Sequence, residues 1–140
     1  MPHKRYLFYS RILKVIASLF GVVCVLWGIL IGLFGPGHGD LSPSFAMRLF
    51  ALFVAFMGAL YLIPNKRLSS KNQVLLYMGF TLLISLSLFV ALIADLIIDW
   101  KQIHSRMITL NMLMTCFLPT LAAPASLFFY LKAYQSEDPV

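Results

Sequence analysis

The chain has 140 residues, of which 61% are hydrophobic and 11% are charged. A soluble domain is about half apolar and about a quarter charged, because most of its surface must face water. This composition excludes an ordinary soluble domain and predicts that much of the apolar surface faces lipid.

The net charge of +6 does not indicate a nucleic-acid-binding protein. The lysine and arginine residues lie at the ends of apolar runs, a pattern typical of membrane topology signals. A nucleic-acid surface would instead gather them on one face or along one helix. We therefore expect membrane lipid, and no nucleic acid, among the partners.

Four apolar runs follow one another along the chain. The first is free of charge over residues 15–34, and a helix of this length is about 30 Å long, which matches a bilayer core. Glycine and proline at 35–37 end the first run, and Pro64 ends the second. We predict one all-α domain over residues 1–140, an integral membrane four-helix bundle with antiparallel up-down topology. The predicted spans are about 12–34, 45–63, 73–98 and 107–131.

The positions of lysine and arginine predict the orientation, since loops rich in these residues stay in the cytoplasm. Eight lie at the two ends and in the middle loop: Lys4, Arg5, Arg11, Lys14, Lys66, Arg67, Lys71 and Lys132. Three lie on the opposite side: Arg48, Lys101 and Arg106. We expect a protein of the bacterial inner (plasma) membrane with both termini in the cytoplasm.

The first predicted helix carries a seam of small residues at spacings of three and four, which places them on one face. Its members are Ala17, Gly21, Cys24, Gly28 and Gly32. Small residues let membrane helices approach closely. One hypothesis is that the seam packs on Ala51, Ala55 and Gly58 of the second helix. The other is that it binds a second copy of the chain or a partner.

The third predicted helix carries a polar stripe formed by Thr81, Ser85, Asp95 and Asp99. Its hydroxyl groups can bond to carbonyl groups of their own helix. Asp95 lies just beyond the charge-free core, on the same side of the membrane as Arg48. A structural ion pair between Arg48 and Asp95 is one interpretation, and a proton or ion site is the sharper alternative.

The fourth predicted helix contains Pro119 and Pro124, each of which removes a backbone hydrogen bond. Asn111 and Thr115 share one face, a turn apart. One interpretation is a kinked helix packed on its neighbours. The alternative is a broken helix that lines a polar site, as in transporters.

No pattern in the sequence indicates catalysis, a cofactor or a metal. The histidines, His3, His38 and His104, lie in predicted tails or loops, where they cannot serve as haem ligands between spans. Cys24 and Cys116 have no partner at redox spacing. We expect a protein that is not an enzyme and has no cofactor.

Three functions remain open on the sequence. The first is a non-enzymatic accessory or assembly subunit of a larger membrane complex, or a homo-oligomer. The second is a small oligomeric transporter or channel, with a polar site on the third and fourth helices formed by Asp95, Asp99, Asn111 and Thr115. The third is a protein that binds a lipid or a quinone-type ligand.

Overall fold

The computed structural model describes residues 2–35, 44–98, 101 and 103–135, and the regular structure of these residues is helical throughout. The five α-helices are α1 (Pro2–Phe34), α2 (Phe45–Leu62), α3 (Lys71–Ile98), α4 (Ile103–Met112) and α5 (Leu118–Gln135). A short 3₁₀ helix at Asn65–Arg67 follows α2, and a π turn at Leu113–Phe117 joins α4 to α5.

Four helical stretches are long and apolar enough to cross a membrane. They are His3–Phe34, Phe45–Leu62, Lys71–Ile98 and Arg106–Gln135, the last of which runs from α4 through the π turn into α5. This finding confirms the predicted class of fold, an all-helical chain with four candidate membrane spans.

Glycine, serine and proline explain where several helices begin and end. Gly35 adopts a φ of 74°, which favours glycine, and its N–H donates to the carbonyl of Ile31 at 2.9 Å to close the last turn of α1. Ser44 accepts a hydrogen bond from the N–H of Met47 at the start of α2. Helix α2 stops just before Pro64, as expected for the residues that precede a proline.

Helix α1 begins earlier than the sequence predicted. The predicted span started near residue 12, whereas the helix starts at Pro2 and includes the basic N-terminal segment. Helix α5 likewise continues to Gln135, beyond the predicted end at 131. The polar turns at the beginning of α1 and at the end of α5 contact each other, as described below. These contacts explain why both helices extend beyond the predicted spans.

The chain forms two compact units, one of residues 17–64 and the other of residues 1–16 with 65–140. In the unit of residues 17–64, α2 lies against the second part of α1 at two glycines. A Cβ atom on Gly21 would lie 2.7 Å from the carbonyl oxygen of Gly58, and one on Gly28 would lie 2.6 Å from that of Ala51. Only glycine fits at these distances, so the two helix backbones touch.

In the unit of residues 1–16 and 65–140, most of the buried side chains are small or polar, and Leu127, Leu92, Val74 and Tyr77 are the larger apolar ones. The small or polar ones include Thr81, Ser85, Ala122, Ala123 and Ser126. Other large apolar side chains lie outside instead, and Leu76 and Ile98 are 78% and 80% exposed. A soluble core has the opposite arrangement. Small residues inside and large apolar residues outside are what packing in lipid requires.

Candidate functional site

A buried polar cluster joins the beginning of α1, the loop after α2 and the middle of α5. The hydroxyl of Ser10 donates to the carbonyl of Ser126 at 2.8 Å, and the hydroxyl of Ser126 donates to the carbonyl of Ser10 at 3.0 Å. The side-chain amide nitrogen of Asn65 lies 2.8 Å from Ser126 Oγ and 3.4 Å from Ser10 Oγ. We call these three residues the Ser–Asn–Ser cluster.

The chemistry of this cluster fixes the orientation of the Asn65 amide. Each serine hydroxyl has already given its only hydrogen to a carbonyl, so both hydroxyl oxygens can only accept. The Asn65 side chain must therefore present its NH₂ group to them. Its Oδ1 atom is buried and has no hydrogen-bond partner among the described residues.

Further contacts hold the first turns of α1 against the end of α5. The ring of His3 bonds to the carbonyl of Ala133 through Nδ1 at 2.9 Å. The Tyr6 ring stacks on Phe129 at 6.3 Å, and the ammonium group of Lys132 lies 5.9 Å from the centre of the Tyr6 ring. These partners explain why α1 is helical before its apolar run begins.

The hydroxyl groups of the third span bond within their own helix. Thr81 donates to the carbonyl of Met78 at 3.0 Å, and Ser85 donates to the carbonyl of Thr81 at the same distance. Both side chains are buried. The predicted hydrogen bonding of this part of the polar stripe is confirmed.

Asp95 is exposed near the end of α3 and accepts a hydrogen bond from the hydroxyl of Thr109, on α4, at 2.5 Å. Arg48 is exposed in the first turns of α2. The two residues belong to different units of the chain, and the ion pair between them stays a prediction. Asp99 lies outside the described residues.

Asn111 and Thr115 both lie exposed on the fourth span. The hydroxyl of Thr115 donates to the carbonyl of Asn111 at 2.8 Å. The side chain of Asn111 makes no hydrogen bond with any residue that the structure describes. Among the candidate site residues that lie inside a candidate span, Asn111 presents a carboxamide that bonds to no described residue, and Arg48 in the first turns of α2 likewise bonds to no described residue.

The fourth span contains a π turn just before Pro119, and the predicted kink stays a prediction. The N–H of Leu118 donates to the carbonyl of Leu113, five residues back, and Pro119 follows at once. The wider turn makes room where a proline ring would meet the carbonyl four residues before it. Phe117 packs on Phe89 of α3, with ring centres 5.0 Å apart.

The small-residue seam is used in part within the chain. Gly21 and Gly28 touch α2 as described above, and Ala17 is fully buried. Gly32 leaves more room, since a Cβ atom on it would lie 3.5 Å from the Cβ of Ala51. Binding of a second copy or a partner to this seam stays a prediction.

Within the described residues, no three histidine, cysteine, aspartate or glutamate side chains are grouped as a metal site would need. His38 lies outside the described residues. Comparison with models of protein families, with curated proteins and with solved structures finds no match to this chain.

Sequence reasoning missed the Ser–Asn–Ser cluster. Ser10 and Ser126 are 116 residues apart, and neither belongs to a periodic polar pattern. Asn65 follows a proline in a polar loop, where asparagine is ordinary. The one available signal was Ser126 itself, a hydroxyl within an apolar run.

Proposed function

We propose that this chain is a non-enzymatic accessory or assembly subunit of the bacterial inner membrane. In this proposal the four spans run antiparallel and both termini lie in the cytoplasm. The chain binds a membrane helix of a larger complex, and the contact is made by the outer face of α4 around Asn111. The Asn111 carboxamide, which bonds to no described residue, is the observation that carries the proposal.

A carboxamide that faces hydrocarbon alone is costly, and Asn111 lies near the boundary between the headgroups and the hydrocarbon. Asn111 lies five residues inside the fourth candidate span, which begins at Arg106, so it is about 7.5 Å from the start of the span. An amide without a partner in an apolar environment loses about 2 kcal/mol or more relative to water. A hydrogen bond from a neighbouring membrane helix removes this cost, and asparagine is one of the residues that join such helices.

Ser87 provides a contrast on the third span. It is also polar and exposed, but its hydroxyl donates to the carbonyl of Leu83 at 2.8 Å. Ser87 needs no partner from another chain. Asn111 is different because a carboxamide has two donors and an acceptor to satisfy.

The test is purification of the full chain from its own membranes in mild detergent, followed by mass spectrometry and determination of the particle mass. We expect the wild-type chain to co-purify with one defined membrane protein. We expect Asn111→Leu to reduce the recovery of that protein by about three- to tenfold, from a hydrogen bond of about 1 kcal/mol in a membrane.

Ser87→Ala is the matched control and should leave the recovery unchanged. A wild-type chain that purifies as a lone monomer would count against the proposal. Equal effects of the two substitutions would show that Asn111 is not the contact. If the purified particle contains only copies of this chain, the partner of Asn111 is a second copy and the proposed complex is a homo-oligomer. Asn111→Leu should then weaken this homo-oligomer.

A second candidate function is transport by an oligomer, and the π turn favours it. Such turns occur often at functional sites, and here Thr115 lies within the turn while Asn111 lies just before it. Flux into liposomes that contain the chain would test this function. If Asp95→Asn and Thr115→Ala both left a measured flux unchanged, these residues would not form the transport site.

A further inference from the structure

A groove of about 460 Å³ opens between the beginning of α3 and the end of α5. Its size falls within the range of sites for small ligands, about 300–1,000 Å³. Leu68, Val74 and Leu131 line it with apolar surface, and Ser70 and Lys71 provide polar groups. We call it the α3–α5 groove.

The groove lies where two candidate spans end. Lys71 is the first residue of the third span, and Gln135, which also lines the groove, is the last residue of the fourth. Residues at the ends of spans lie at the level of lipid headgroups. Tyr134, at the edge of the groove, is 56% exposed and is of the residue type that prefers this level.

The polar side of the groove has free hydrogen-bond donors. The Ser70 hydroxyl accepts a bond from the N–H of Gln73, which leaves its own hydrogen available. The ammonium group of Lys71 is exposed and is bonded to no described residue. Ser69 is different, because its N–H and its hydroxyl both bond to the side chain of Gln73.

The charge at this end of the chain favours an anion. Lys66 and Arg67 precede Lys71 in the same loop, and Asp95 is the only acidic residue in the described part of the chain, close to the other end of α3. Each lysine or arginine near a membrane surface contributes about 1 kcal/mol of attraction to anionic lipid. The groove thus combines positive charge, hydroxyl and ammonium donors and an apolar wall.

We propose that the α3–α5 groove binds one anionic glycerophospholipid from the surrounding leaflet. Lys71 and Ser70 bind the phosphate, and Leu68, Val74 and Leu131 contact the first part of an acyl chain. The inference is independent of the partner-binding function proposed above, because Asn111 lies at the opposite end of the fourth span.

Native mass spectrometry of the full chain in detergent tests this site, with dioleoyl phosphatidylglycerol added as the probe. We expect one tightly bound lipid per chain and at least fivefold weaker binding of dioleoyl phosphatidylcholine. Lys71→Gln should weaken phosphatidylglycerol binding at least tenfold, because it removes a direct hydrogen bond to a charged phosphate, and Lys71→Arg should retain it.

Lys66→Gln is the matched control, because it removes the same charge from the same loop at a residue that does not line the groove. It should weaken binding by no more than about fivefold, the equivalent of one nearby charge without a direct bond to the phosphate. If Lys71→Gln and Lys66→Gln weaken lipid binding equally, then the lipid is held only by general attraction to the surface charge, and the proposed site is wrong. If glycerol 3-phosphate displaces the lipid at equal concentration, then the apolar wall does not contribute to binding. The groove would then be a site for free phosphates.

Discussion

None of the three residues of the Ser–Asn–Ser cluster predicts the cluster by its own position in the sequence. Ser10, Asn65 and Ser126 are common residue types at unremarkable positions, and their meeting depends on segments that are 61 and 116 residues apart. Once they are together, the reciprocal serine bonds commit both hydroxyl hydrogens, and only an NH₂ group fits between them. Sequence periodicity contains no information about such a contact.

Substitution of Asn65 tests this arrangement of donors. Asn65→Ala removes two donated bonds and should lower the free energy of unfolding by about 1–2 kcal/mol. Asn65→Asp should cost more, although it is nearly the same shape, because it places a carboxylate oxygen against two oxygens that have no hydrogen to give. Reversible unfolding in mixed micelles of mild detergent and dodecyl sulfate measures both. An Asn65→Asp variant as stable as wild type would contradict the assigned orientation.

Gly28 and Gly79 should respond in opposite ways to alanine. A Cβ atom on Gly28 would lie 2.6 Å from a backbone oxygen, whereas one on Gly79 would have no atom of the described residues within 4 Å. We expect Gly28→Ala to lower the free energy of unfolding by about 1–3 kcal/mol through overpacking. Gly79→Ala should raise it by up to about 1 kcal/mol, since glycine weakens a helix. The same unfolding measurement compares them, and a loss of stability in Gly79→Ala would point to a neighbour absent from the isolated chain.

At the scale of the helices, the sequence predicted most of the described architecture. The helix ends at Phe34 and Leu62 agree with prediction to within a residue, because a glycine and a proline stop the helices there. Helix α1 begins ten residues before the predicted start of the first span, because its contacts with α5 extend the helix into the charged N-terminal segment. Two prolines indicated a kink in the fourth span, but proline alone does not determine whether the helix bends or widens into a π turn.

The π turn gives a prediction about Pro119. Deletion of Met114, which is exposed within the turn, removes the extra residue and forces an ordinary helical turn. The proline ring would then clash with the carbonyl before it, at a cost of about 3 kcal/mol. In a Pro119→Ala background the same deletion should cost much less. A double-mutant cycle of unfolding free energies measures this difference.

If the deletion of Met114 lowers the free energy of unfolding equally in the two backgrounds, then the π turn does not serve to accommodate Pro119. Deletion of Phe128 serves as the control. Phe128 lies in regular α-helix, so its deletion rotates the residues that follow by about 100°. We expect this deletion to cost the same free energy of unfolding with proline or with alanine at position 119.

At the scale of the whole molecule, many large apolar side chains are exposed, as expected for a surface that faces lipid. The most important prediction at this scale is the orientation of the spans in the membrane. With Cys24 and Cys116 replaced by alanine, single cysteines at Ser44 and Ser69 can be probed in intact cells. We expect a membrane-impermeant maleimide to label the cysteine at 44 directly and the one at 69 only after the membrane is opened. Labelling of both from outside would overturn the arrangement of spans, and labelling of 69 alone would reverse it.

The bonds between the first turns of α1 and the end of α5 have a consequence for biogenesis. Residues 17–64 can pack as soon as the second helix leaves the ribosome, because their contacts are local in sequence. Ser10 and His3, by contrast, must wait for partners at 126 and 133, which are synthesised 116 and 130 residues later. A chain that stalls before α5 therefore leaves the Ser10 hydroxyl and the His3 ring without these partners, so the contacts at the beginning of α1 form late in synthesis.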